Sequence, residues 1–208
     1  MVYIQNLCFD SKLCIEIVND KNMMMNKDHL YSVIYQDIQD AFAEIQQLTQ
    51  DQHLCAIGLG MVEDFCGFFY VGCTLEQLKT FEDVYEAWWI SEWSCSSTAN
   101  NRVHDAITAL YQDLGEDYTN EQYSELQAHY QKTIIQALQD LRIQGKLKNQ
   151  QGEEIIVIIQ YADSSDEDFE DISFPQINPE FLVPLFENRF QKKAGENLYD
   201  YLLEKSAS

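Results

Sequence analysis

The sequence predicts an α+β fold, a mostly antiparallel sheet packed against long amphipathic helices, as a single domain over residues 1–208. Three observations carry this expectation. Two long segments, 28–50 and 119–145, repeat apolar residues at i, i+3 and i+4. Three short apolar runs, 53–62, 67–73 and 154–161, have the length and the β-branched or aromatic content of strands. Hydrophobic residues make up 46% of the chain and aromatics 12%, enough for a packed core and far from the composition of a disordered chain.

The elements follow in chain order. Val2, Ile4 and Cys8–Phe9, an Asp10–Ser11–Lys12 turn, and then Leu13, Ile15 and Ile17 alternate with period two, which predicts an N-terminal hairpin extension over 1–20. Met23–Met25 reads as loop. Leu30, Val33, Ile34, Ile38, Ala41, Phe42, Ile45 and Leu48 form one helical stripe. The runs on either side of Glu63–Asp64–Phe65–Cys66 read as an antiparallel strand pair with a tight connection. Thr74 has capping-box spacing to Gln77, so a short helix starts there.

Tyr85 to Cys95 is aromatic and reads as a third strand, followed by a helix from Asn100 or Asn101 towards Gly115. Thr119 opens the second long helix, whose stripe runs through Tyr123, Leu126, Tyr130, Ile134, Leu138 and Leu141, and Gly145 closes it. Ile155 to Ile159 are apolar on both faces and predict a central strand. Residues 163–171 read as an acidic loop, and 196–205 as a last short helix after a proline-rich stretch.

Charge narrows the choice of partner. Thirteen Lys and Arg stand against 35 Asp and Glu, a net charge of −22. Such a surface repels nucleic-acid phosphates and anionic lipid and attracts basic proteins. The N-terminus lacks the basic and apolar regions of a secretory signal, and the longest apolar stretch, Leu54 to Val62, is too short to span a membrane. The six cysteines lie mostly in apolar segments of a chain too large to need disulfide staples, so reduced thiols and a cytoplasmic location are expected.

No motif carries catalysis. Cysteine spacings match no zinc pattern, and His53 with Cys55 would form at most half a site, so no metal is expected. There is no phosphate-binding glycine loop, and Gly58-Leu59-Gly60 lacks the later glycine of a dinucleotide fingerprint, so no cofactor is expected. Cys95 and Ser96–Ser97 precede His104 without any nucleophile signature. Adjacent acids such as Glu82–Asp83 are common by chance in so acidic a chain.

Two features rise above this background. Trp88-Trp89-Ile90-Ser91-Glu92-Trp93, read as a strand, puts Trp89 and Trp93 on one face and Trp88 on the other, with one face in the core and one open to a partner. Asp163, Asp166, Glu167, Asp168, Glu170 and Asp171 put six carboxylates into nine residues, and the wider stretch between Lys148 and Arg189 holds ten acids and no base. Calcium is disfavoured because the EF-hand glycine and terminal spacing are missing. Trp88, Trp89, Trp93 and these six acids are therefore the candidate partner-binding residues. Their field would speed the approach of a basic protein.

The order Ala41–Phe42, Ala56-Ile57-Gly58-Leu59, Trp88-x-x-x-Glu92-Trp93, Ile172–Ser173 and Ile177-Asn178-Pro179 resembles a bacterial domain-of-unknown-function family of similar size, over residues 28–190. Ile90 stands where that family commonly has proline. The family's members recur near polymorphic toxin and immunity genes. What the resemblance implies is a cytoplasmic immunity or antitoxin-like protein that neutralises a cognate toxin with a basic cleft, with no catalytic residues of its own. The competing expectations are a small enzyme assembled from Glu92, Cys95 and His104, and a general interaction domain.

Overall fold

The computed structural model describes residues 11–62, 67–98, 102–115, 117–162, 167–191 and 197–205. Helix α1 spans Ser11–Leu48, and strands β1 (Leu54–Met61) and β2 (Phe68–Thr74) follow. Short helices α2 (Leu75–Leu78) and α3 (Val84–Ala87), a 3-10 turn at Ile90–Glu92 and the two-residue strand β3 (Cys95–Ser96) lead to helices α4 (Arg102–Leu114) and α5 (Asn120–Ile143). Strand β4 (Ile156–Tyr161) precedes helices α6 (Glu167–Ile177), α7 (Val183–Glu187) and α8 (Leu198–Lys205).

The fold is α+β, and its sheet is mixed. Strand order is β3-β2-β1-β4, with β2 antiparallel to both β1 and β3 but β4 parallel to β1. Parallel neighbours need a long return path, and α4 and α5 provide it. The sheet is sandwiched. On one face Ile57, Leu59, Val157 and Ile159 meet α1, α4 and α5 through Ile34, Ile38, Ile107, Ile134 and Leu138. On the other, Ala56, Val71, Ile156 and Ile158 meet Trp88, Ile90, Trp93, Phe174, Phe186 and Leu198. This explains why β1 is buried along its whole length.

Helix starts and stops follow local chemistry. Thr119 and Gln122 form a full capping box at the start of α5, and beyond its end Gly145 takes a φ of +67°, a left-handed conformation that glycine adopts without a Cβ clash. Thr74 caps α2 by accepting from the Gln77 backbone N–H. Buried Asp37 on α1 accepts from the Tyr70 hydroxyl on β2 at 2.7 Å and from Arg102 Nε on α4 at 3.2 Å, tying three elements around one carboxylate. Burial, reinforced by Asp37, holds the Tyr70 hydroxyl well above the usual tyrosine range.

Four expectations are corrected. Leu13 to Ile17 lie in α1, as do Met23–Met25; no proline or glycine interrupts 11–48, so the helix extends through the expected second arm of the hairpin, whose first arm falls outside the described residues. Tyr85 to Cys95 is no strand. Asp83 caps α3 by accepting from the Tyr85 N–H, and a 3-10 turn follows, so aromatic content reflects burial rather than extension. Strand β4 is apolar on both faces because helices cover both, yet it stands at the edge of the sheet. Glu167 to Asp171 belong to α6, not to a loop, while Asp163 and Asp166 lie outside the described residues. Pro175 is accommodated within α6.

Candidate functional site

A recess of about 420 Å³ opens where α6 passes the tryptophan turn. It is lined by Trp89, Ile90 and Ser91 of that turn, Phe69 of β2, Gln160 and Tyr161 of β4, Asp168, Glu170 and Asp171 of α6, and Tyr85, Arg189 and Phe190. Its size falls in the range of small-ligand pockets. The two sequence features singled out separately, the tryptophan cluster and the acidic run, meet here.

Glycines of β1 make the approach possible. A Cβ on Gly58 would lie 2.8 Å from Ile90 Cγ2 and 2.9 Å from Ile90 Cβ, so only glycine lets the turn close onto the sheet. One β4 side chain then fixes the turn to α6. Gln160 Oε1 accepts from the Ile90 N–H at 3.1 Å, and Gln160 Nε2 donates to the Trp88 carbonyl at 2.8 Å and to Glu170 Oε2 at 2.9 Å.

The tryptophans divide in a way that differs from strand alternation. Trp88 and Trp93 are buried, Trp93 donating its indole N–H to the Ala87 carbonyl at 3.0 Å, whereas Trp89 is 55% exposed. In the 3-10 geometry Trp88, Ile90 and Trp93 face the core, while Trp89, Ser91 and Glu92 face out. Trp88 and Trp93 thus hold the turn, and Trp89 alone of the three leaves its ring exposed.

The acids divide likewise. Asp168 is exposed, and the Asp171 side chain is 65% exposed. Glu170 turns inward: its side chain is 13% exposed and its Oε1 lies 3.3 Å from Arg189 Nε. Arg189 Nη2 donates to Asp171 Oδ1 at 2.7 Å, and the guanidinium lies 3.9 Å from the Phe186 ring centroid and 4.7 Å from that of Phe190. The rings of Tyr85 and Phe190 stack at 5.0 Å. Among the described lining residues three carboxylates stand against one cation, and aromatic rings supply much of the remaining wall.

Sequence reasoning missed Phe69, Tyr85, Gln160, Arg189 and Phe190. Two of these had a signal: Gln160 is the polar residue that breaks the apolar run of β4, and Arg189 is the base that ends the acidic stretch. The other candidates lie elsewhere. Glu92 is in the 3-10 turn, Cys95 on β3 and His104 on α4, and none of them lines the recess. His53 Nε2 lies 2.7 Å from Glu153, while the Cys55 thiol donates to the Cys73 carbonyl. Cys55, Cys73 and Cys95 are free thiols; the hydrogen bond with Cys55 and burial push the Cys73 thiol well above its usual range. Among the described residues no three His, Cys, Asp or Glu side chains are grouped to hold a metal ion, and no helix is long and apolar enough to cross a membrane.

Fold and recess together define the class: an α+β domain whose edge helix and tryptophan turn enclose an aromatic recess rimmed by carboxylates. The chain belongs to the family described as a domain of unknown function, DUF4303, which it matches over residues 34–179. The matched segment contains Gly58, the tryptophan turn, Gln160, the acids of α6 and Asn178–Pro179, and it ends before Arg189 and Phe190. No curated protein and no solved structure matches the chain.

Proposed function

We propose that the protein is an immunity or antitoxin-like protein of the cytoplasm, which binds a basic protein toxin and neutralises it. One observation supports this reading above the others: exposed Trp89 stands beside Asp168 and Asp171 at a single recess in a chain of net charge −22. A large exposed aromatic ring flanked by carboxylates suits a protein interface that anchors on tryptophan and steers by charge. Toxins that act on nucleic acid carry basic clefts to hold phosphates, and an acidic protein occupies such a cleft without being a substrate. The proximity of family members to toxin genes, implied by the resemblance of the motifs, points the same way by association.

Co-expression with the toxin gene adjacent to this one tests the reading, scored by survival of the host and by co-purification of the two chains. Survival lost with Trp89→Ala, in a variant that still folds, supports it. Unchanged toxicity in the presence of the wild-type chain, or an adjacent operon of metabolic enzymes without a toxin, removes it.

A further inference from the structure

We propose that the recess is a receptor for a single arginine side chain carried by the partner's basic surface. This deepens the proposed function and rests on it for the identity of the partner. The chemistry of the recess is selective. Trp89, Tyr85 and Phe190 present aromatic rings, and Asp168 and Asp171 present carboxylates at the exposed margin. Asp168 has no hydrogen-bond or ionic partner among the described residues. Among the described lining residues the one cation, Arg189, is already engaged by Glu170 and Asp171, so it offers no open site to an anionic ligand.

Arg189 itself shows which cation this environment accepts. Its guanidinium is packed against Phe186 and Phe190 and ion-paired with two carboxylates, with only 11% of the side chain exposed. A second guanidinium entering from solvent meets the same kind of surroundings in Trp89 and Asp168. Arginine fits better than lysine because its planar group stacks on a ring and bonds a carboxylate through two N–H groups at once. It also loses less hydration on entry.

The test uses the full chain and no toxin. N-acetyl-arginine methylamide is titrated against N-acetyl-citrulline methylamide, which keeps the shape and loses the charge, with N-acetyl-lysine methylamide and spermidine as further probes. Binding is followed by tryptophan fluorescence and by the indole N–H resonances. The expected result is saturable binding of the arginine probe, with a Kd on the order of 1–10 mM, the strength of a few contacts made by a small ligand. The Trp89 resonance shifts, the citrulline probe binds at least about tenfold more weakly as a lost charge-assisted pair requires, and Asp168→Asn and Trp89→Ala each weaken the arginine probe.

Equal binding of arginine and citrulline probes, no saturation with arginine, or shifts confined to other resonances overturns the proposal. Tighter binding of spermidine than of the arginine probe overturns the choice of a protein side chain as occupant. Failure of co-expressed immunity with arginine binding intact removes the toxin reading alone, and immunity without arginine binding removes the receptor alone.

Discussion

Asn178 acts as the missing neighbour of Val157. Its side-chain oxygen accepts from the Val157 N–H at 2.9 Å and its amide donates to the Val157 carbonyl at 2.8 Å, so one side chain supplies the hydrogen bonds of an absent strand. Strand β4 is at the edge of the sheet, and a buried edge with unpaired backbone groups is costly. The same amide donates to the Phe174 carbonyl at 3.2 Å, and Arg142 donates to its oxygen at 3.3 Å. The end of α6, the helix that carries Asp168 and Asp171 into the recess that Trp89 also lines, is thereby locked to β4.

Replacing Asn178 with Ala leaves both Val157 groups buried and unsatisfied. The expected loss is about 2–4 kcal/mol, the desolvation cost of such groups. Urea unfolding measures it, and Gln176→Ala on the exposed side of α6 is the control, expected within about 0.5 kcal/mol of wild type.

Trp88 and Trp89 are adjacent in sequence and opposite in consequence. Trp88 is 1% exposed, so Trp88→Ala is expected to cost about 3–5 kcal/mol. Trp89→Ala removes an exposed ring and is expected to change stability by less than about 1 kcal/mol while weakening partner binding. A Trp89→Ala variant as unstable as Trp88→Ala would show that the exposed ring is structural.

Gly58→Ala drives its new methyl into Ile90, whose Cβ is fixed to the backbone and cannot swing away. The overpacking is expected to cost about 1–3 kcal/mol and to displace the turn that carries Trp89. Thermal unfolding reads the first effect and the Trp89 indole resonance the second. An unchanged resonance would mean that the sheet yields instead of the turn.

Neutralising Asp168 and Asp171 to Asn is expected to slow association with a basic partner and to flatten its salt dependence, and, because Asp168 pairs with the partner's arginine, to speed dissociation as well. Glu170 is the exception among these acids. Glu170→Gln weakens the buried contact with Arg189, so it is expected to lower stability, contrary to the behaviour of a solvated acidic face. Stopped-flow association at several ionic strengths, alongside urea unfolding, separates the two effects.

Alkaline pH offers a test of the helix packing. Burial and a hydrogen bond to Asp140 push the Tyr31 hydroxyl from about 10 up to about 12. The folded chain therefore holds this proton where the unfolded chain has lost it. The contribution is fully present below about pH 10 and is lost as pH rises through about 12. Urea midpoints measured from pH 9 to 12 should fall less steeply for Tyr31→Phe than for wild type; parallel curves would contradict the link.

Much of the fold was legible along the chain. The stripe from Leu30 to Leu48, the capped helix from Thr119, and the strand pair around Gly58 and Val71 all rest on periodicity and capping, which are local properties of consecutive residues. The same local patterns misled where two conformations share one signature. Leu13, Ile15 and Ile17 alternate like a strand, yet they continue a helix that nothing interrupts. Trp88 to Trp93 look like a strand because core-facing aromatics resemble strand aromatics.

By itself, the sequence determined that this is an acidic α+β chain rich in aromatic residues and carboxylates, because charge, composition and period belong to the residues whatever their arrangement. Only the tertiary structure decided that Trp89 is the exposed tryptophan, that Glu170 turns inward to Arg189, and that Trp89 shares a recess with Asp168 and Asp171. It also decided that β4 lies parallel to β1 at an edge closed by Asn178. These are relations between residues distant in the chain. They follow from how the two faces of the sheet are covered and from the closeness that Gly58 allows, and no local pattern encodes either.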